Sequence, residues 1–179
     1  MGLAADCLSR AGLRALAVAG LLGARTLAGR RVYSDHAQPM EIEELPALLV
    51  ATPAERKDTA GLGAPQFSTV MTLAIMARVA GPSEQATEAL LDQLIEQVQA
   101  AILCTPAVVE PIERFEFVET LSVVSAEGEQ MIGEATIMFG CRVYQQYEPD
   151  AGEPLVLIHT TIPGADHGAP VTFDSHPPQ

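Results

Sequence analysis

The chain has 179 residues, 48% hydrophobic and 18% charged, with no Trp and aromatics at 4%. That length and composition fit one globular domain with extensions, exclude a disordered chain, and leave the packing to Leu, Ile, Val, Met and Ala. A formal net charge of −13 excludes nucleic-acid binding through a counterion-release footprint, although an acidic wall can still face DNA and repel it.

The charge is unevenly placed. Arg10, Arg14, Arg25, Arg30 and Arg31 stand against Asp6 alone, so residues 1–31 carry +4 and the remainder carries −17. The N-terminal run LRALAVAGLLGARTLAGRR has the basic, acid-poor look of a targeting peptide. However, Asp6 precedes it, Arg14 interrupts it, and its apolar part is too short to span a bilayer. Leu8, Leu13, Leu16, Val18 and Leu22 recur on overlapping turns, which predicts an amphipathic docking helix. Gly29 is the expected stop, followed by a short strand at RVY and an acidic loop, HAQPMEIEELP.

ALLVAT, residues 47–52, reads as a short strand bounded by Pro46 and Pro53, and the long connection to Gln66 contains GLGAP. A strand-like run follows that glycine pair, not a helix start, so it does not cradle a phosphate. The next segment, FSTVMTLAIMARVAG, is too short for a membrane helix and reads as one long strand. One parity, Phe67 to Val79, is continuously apolar. The other holds Ser68, Val70, Thr72, Ala74, Met76 and Arg78, too apolar to rest comfortably in water.

PSEQATEALLDQLIEQVQAAILC predicts a helix capped by Ser83, its apolar face running through Ala86, Leu90, Leu94, Ile95, Val98, Ala101 and Ile102. Glu84, Glu88, Asp92 and Glu96 recur every fourth residue on the other side, where like charges repel by a few tenths of a kcal/mol per pair. They read as a solvated face whose first acids suit the helix N-terminus, or more sharply as an acidic ridge aimed at something that must not stick. RFEFVETLSVVS and GEATIMFGCRVYQQY then predict a hairpin. In its second strand Ala135, Ile137, Phe139, Cys141 and Val143 share one face, and Thr136, Met138, Arg142 and Tyr144 the other. LVLIHTTI is a last strand, and residues 163–179 form a Pro/Gly/His-rich tail, leaving residues 1–162 as the folded domain.

The element order indicates an α+β fold: a mixed, mostly antiparallel sheet with both helices on one face. The uncovered face calls for a partner, and a second copy of the chain fits that need. Chemistry is scarce. No GxSxG elbow is present, and Cys7, Cys104 and Cys141 have no zinc-ligand spacing and read as small buried apolar residues of a reducing compartment. Glu41, Glu43 and Glu44 read as a solvated patch. The rival to an interaction role is a small metal- or ligand-binding enzyme using His159, Asp166 and His167.

GRRVYSD, ELPALLVAT, FSTVMTLAI, the PSEQATEALLDQLIEQVQAAIL helix and GEATIMFGCRVYQQYEP, in that order, resemble the tail terminator proteins of long-tailed phages, from about Leu8 to about Ile162. The resemblance implies a homohexameric ring that caps the head-proximal end of the tail tube and stops its polymerisation. The ring offers a docking surface to the head–tail connector and lets DNA pass through its lumen. No catalytic residue, cofactor or membrane partner is implied, and the place is the virion neck, assembled in the host cytoplasm. The tail beyond Pro163 has no counterpart in that pattern. On this reading Val70, Thr72, Ala74, Met76, Arg78, Arg142 and Tyr144 are subunit contacts, and Glu84, Glu88, Asp92 and Glu96 face the lumen. Arg56, Lys57, Asp58 and Leu62 reach the tube or connector. A different neck, head-completion or tube protein is the nearest alternative.

Overall fold

In a computed structural model of the chain, residues 2–4, 7–34, 42–61, 65–127, 130–148, 158–162 and 171–175 are described. A two-residue strand β1 (Gly2–Leu3) precedes helix α1 (Arg10–Ala24), which Ser9 opens by accepting the Gly12 N–H on its hydroxyl at 3.1 Å. Its buried residues are Leu13, Ala17, Gly20 and Leu21, whereas Leu22, expected to face inward, is exposed. Close approach explains the exchange: a Cβ on Gly20 would lie 3.1 Å from Val108 Cγ2 and 3.5 Å from the Ala101 carbonyl oxygen, so small residues fit there and a leucine does not. The helix stops at Arg25, which takes the left-handed conformation (φ 51°), and the expected stop, Gly29, lies in the turn that follows.

Strand β2 (Val32–Tyr33) pairs in parallel with β3 (Ala47–Thr59) through Leu48 and Leu49. The expected strand ends at Thr52, before Pro53; β3 instead runs seven residues further, to Thr59. Ala51 lies opposite Ala74 but Ala54 opposite Thr72, so one extra residue bulges at Thr52–Pro53. Beyond β2 the far edge of β3 has no strand partner among the described residues, so the N–H that Pro53 lacks is not missed. What was read as a long connection is a hairpin into β4 (Gln66–Gly81).

Along β4 the predicted alternation holds: Thr69, Met71, Leu73, Ile75, Ala77 and Val79 are buried. Helix α2 (Glu84–Leu103) begins where the Ser83 hydroxyl accepts the Ala86 N–H at 3.3 Å, and buries Thr87, Leu91, Leu94, Val98, Ala101 and Ile102. Its first turn sits on a seat of two glycines. A Cβ on Gly81 would overlap Thr87 Oγ1, and one on Gly133 would come within 3.0 Å of Thr87 Cγ2. A short helix α3 (Pro106–Val109) leads into β5 (Arg114–Glu127), which forms an antiparallel hairpin with β6 (Gln130–Glu148).

The sheet has the order β1-β6-β4-β3-β2, with β5 on the β6 edge that also carries β1; only the β2–β3 pair is parallel. Helix α1 packs over β3 and β2, and α2 over β4 and β6, so both helices cover one face and the core lies between. This is the expected α+β architecture. A second bulge lies in β5, where Phe115 is opposite Cys141 and Phe117 opposite Gly140, leaving Glu116 as the extra residue. Both bulges fall at the level where Met71–Leu73 of β4 faces Phe139–Cys141 of β6, one on each side of that unbulged pair.

Two compact units divide at Glu148. The six-stranded sheet belongs to the first. In the second, β7 (Ile158–Ile162) pairs antiparallel with β8 (Val171–Ser175), which lies within the stretch read as a tail.

Candidate functional site

The sheet face turned away from the helices is the place where unusual side chains gather. Strand register puts Ser68, Val70, Thr72, Ala74, Met76 and Arg78 of β4 in one row. Tyr144, Arg142, Gly140, Met138, Thr136 and Glu134 of β6 stand directly opposite in the next. All seven residues expected at a subunit boundary therefore share this one face. Phe117, Glu119, Leu121 and Val123 of β5 extend it by a third row. Among the described residues no helix lies over it.

Its two ends differ. Toward the β5–β6 turn, Met76, Leu121, Ser122, Val123, Glu134 and Thr136 line a shallow apolar depression. Leu121 and Val123 are 59% and 57% exposed, a large unburied area for aliphatic side chains in water. Here Arg78 Nε meets Glu134 Oε1 at 2.6 Å, so the acid that faces Arg78 belongs to its own chain. The opposite end is charged, a depression floored by Ala54, Val70 and Thr72 and rimmed by Arg56, Asp58, Glu116 and Arg142. Glu116 accepts from Arg142 Nε and from Arg114 Nε, the latter at 2.6 Å, while Arg142 Nη1 donates to Ser68 Oγ at 2.7 Å. Those arginines, Arg142 first, hold the Glu116 carboxyl below its ordinary range, and Glu116 in return raises Arg142. Phe117 separates the two ends by covering the bare backbone of Gly140.

Of the residues expected to reach a tube or connector, Arg56 and Asp58 stand exposed on this face, paired at 3.2 Å. The β3 bulge turns Lys57 to the helix side, where its Nζ donates to Gln145 Oε1 at 2.8 Å, to Tyr147 Oη, and to Glu55 Oε1 at 2.9 Å. Burial works against its charge, but the bonds to Tyr147 and Glu55 outweigh it and leave the ammonium above its ordinary pKa. Gln145 continues that network to Thr69 Oγ1 at 3.1 Å and to the Leu8 carbonyl at 2.7 Å. Leu62 lies outside the described residues. Glu84, Glu88, Asp92 and Glu96 are all exposed on α2.

The β5 row was missed because its apolar residues fall on both parities of the sequence, the mark of a bulged edge strand. Phe115 packs inward against Phe139, ring centroids 6.2 Å apart, and Phe117, two residues on, points outward. Of the three cysteines expected to be buried, Cys141 is, Cys7 is partly so, and Cys104 is exposed. Burial pushes the Cys141 thiol up to about 12. No group of three metal-ligating side chains occurs among the described residues. The side chain of His159, and Asp166 and His167 altogether, lie outside them. No described helix is long and apolar enough to cross a membrane.

No protein-family model and no curated protein sequence matches the chain. Among solved structures, a chain from a virion of a native gene transfer agent particle is similar over 75% of this chain and 98% of its own. The TM-score is 0.42 and the identity 13%. At that distance the likeness carries no argument about function.

Proposed function

We propose that the protein is a structural component of a virion, and within that class a tail terminator. It forms a ring, most simply a hexamer, on the head-proximal end of a tail tube, ends the tube's polymerisation and presents a surface to the head–tail connector. DNA passes through its lumen without specific binding. The observation that carries the assembly is the uncovered sheet face, with Met76, Phe117, Leu121, Val123 and Tyr144 all exposed beside a charged rim. Aliphatic and aromatic side chains grouped in this way gain free energy when a neighbour excludes water from them, at roughly 25 cal/mol per Å² of apolar surface. The sequence resemblance supports the choice of terminator over other neck proteins. The role is structural and uses no cofactor.

Native mass spectrometry and light scattering on the purified chain, alone and with tail tube protein, test the reading. A closed ring that caps tubes of defined length, located at the neck in micrographs of labelled tails, is the expected result. A chain that stays monomeric at high concentration and leaves tube growth unchanged refutes it.

A further inference from the structure

Arg10 and Arg14 of α1 and the acids Asp92 and Glu96 of α2 occupy opposite flanks of the helical layer. On α2, Gln97 Oε1 accepts the Leu27 N–H at 2.7 Å, so that side of the helix faces the end of α1. Gln99 Nε2 donates to Thr120 Oγ1 at 3.3 Å, so that side faces β5. Asp92 and Glu96 precede Gln99 by seven and three residues, which puts them on its flank, the one away from α1. On α1, Arg10 Nη2 donates to the Thr52 carbonyl oxygen and Arg14 Nη1 to Thr52 Oγ1 at 3.3 Å, which holds both over β3. Since β3 and β5 lie on opposite sides of the central β4–β6 pair, so do the two charged flanks.

Among the described residues neither flank is neutralised: no ion pair joins a carboxylate to Arg10 or Arg14, or a base to Asp92 or Glu96. Residues 84–103 contain no Lys or Arg, so the repulsion along the ridge has no relief from its own helix.

We propose that the α1 flank of one copy, through Arg10 and Arg14, docks on the α2 flank of a second copy, at Asp92 and Glu96. The proposal rests on the assembly reading above and deepens it. Two different patches on opposite sides of one subunit make a heterologous contact, which repeats around a closed ring or along a filament; a twofold dimer would set like charges together. The contact lies at the β5 edge, whose other face carries the exposed Leu121 and Val123. It also assigns the ridge to a subunit boundary in place of the lumen.

The test is sedimentation velocity on the full chain at low ionic strength and in about 0.5 M salt, where surface attractions are screened. Asp92→Lys/Glu96→Lys and Arg10→Glu/Arg14→Glu are each expected to raise the dissociation constant about tenfold or more at low salt. An equimolar mixture of the two variants should restore association, because each then offers what the other lacks. Asp92 and Glu96 are exposed, so that variant carries the test alone if loss of the Thr52 contacts unfolds the other. Wild-type association that neither variant changes, or a mixture no stronger than its parts, overturns this contact and leaves the ring reading standing. A wild-type chain monomeric under all conditions overturns both. A monomer whose Arg10 and Arg14 instead retard a DNA duplex also overturns the contact and gives the flank to nucleic acid.

Discussion

A methyl group on Gly140 would sit 2.5 Å from Phe117 Cδ1, so the ring of this β5 phenylalanine occupies the space that the missing side chain leaves on β6. Gly140→Ala should push the ring off the sheet and cost about 1–3 kcal/mol, the usual range for forcing extra volume into a filled site. In a Phe117→Ala background the same substitution should cost little. Urea denaturation of the four chains gives the coupling directly, and an equal cost in both backgrounds would mean that the ring is free to move aside.

Arg78 and Glu134 should behave as a pair internal to the chain. The arginine side chain is 14% exposed and the glutamate 42%, so breaking the pair falls hardest on the more buried arginine. Arg78→Glu, which sets two carboxylates against each other, is expected to lower stability by about 1–3 kcal/mol, and Arg78→Glu/Glu134→Arg to recover part of it. If ring formation weakens while the urea midpoint of the monomer stays put, the arginine serves a neighbour and not its own sheet.

Acid should expose the contribution of Glu116. Its folded pKa is depressed below the ordinary 4.5, by Arg142 first and then Arg114. The carboxylate therefore adds stability that is complete above the unfolded value and is lost as pH falls through the lower folded one. Stability of Glu116→Gln should fall below that of the wild type at about pH 6 and converge on it as the pH falls through the depressed folded value. A gap independent of pH would place the effect in packing.

Much of this architecture was legible from residue pattern alone. The β4 alternation, the Ser83 cap and the apolar face of β6 survived because each is a local signal repeated over many residues. What failed did so where one residue changes the count. Pro53 looked like a terminus because proline ends central strands, and only the unpaired edge of β3 reveals that it interrupts nothing. The apolar alternation of β5 was scrambled by Glu116, so the row that completes the candidate surface stayed hidden. On α1, hydrophobicity ranks Leu22 above Gly20; only the approach of Val108 and Ala101 reverses that order.

The cysteines give a check on burial. Thiol chemistry needs the thiolate, and Cys141 is both enclosed and pushed up to about 12. In native protein near neutral pH a maleimide or disulfide reagent should modify Cys104 quickly, Cys7 more slowly and Cys141 only after denaturant is added. Peptide mass mapping over time reads the order. Rapid modification of Cys141 would show that β6 opens locally.

The two bulges, aligned on either side of a pair of strands that has none, make the flanks of the sheet longer than its middle at one level. A bulged strand bends and twists more than a regular one, so both flanks of the sheet turn at the level where Phe117 crosses Gly140. On either side of that level the face offers unlike chemistry, aliphatic around Leu121 and Val123 and ionic around Glu116 and Arg142, so a partner must match both to cover it.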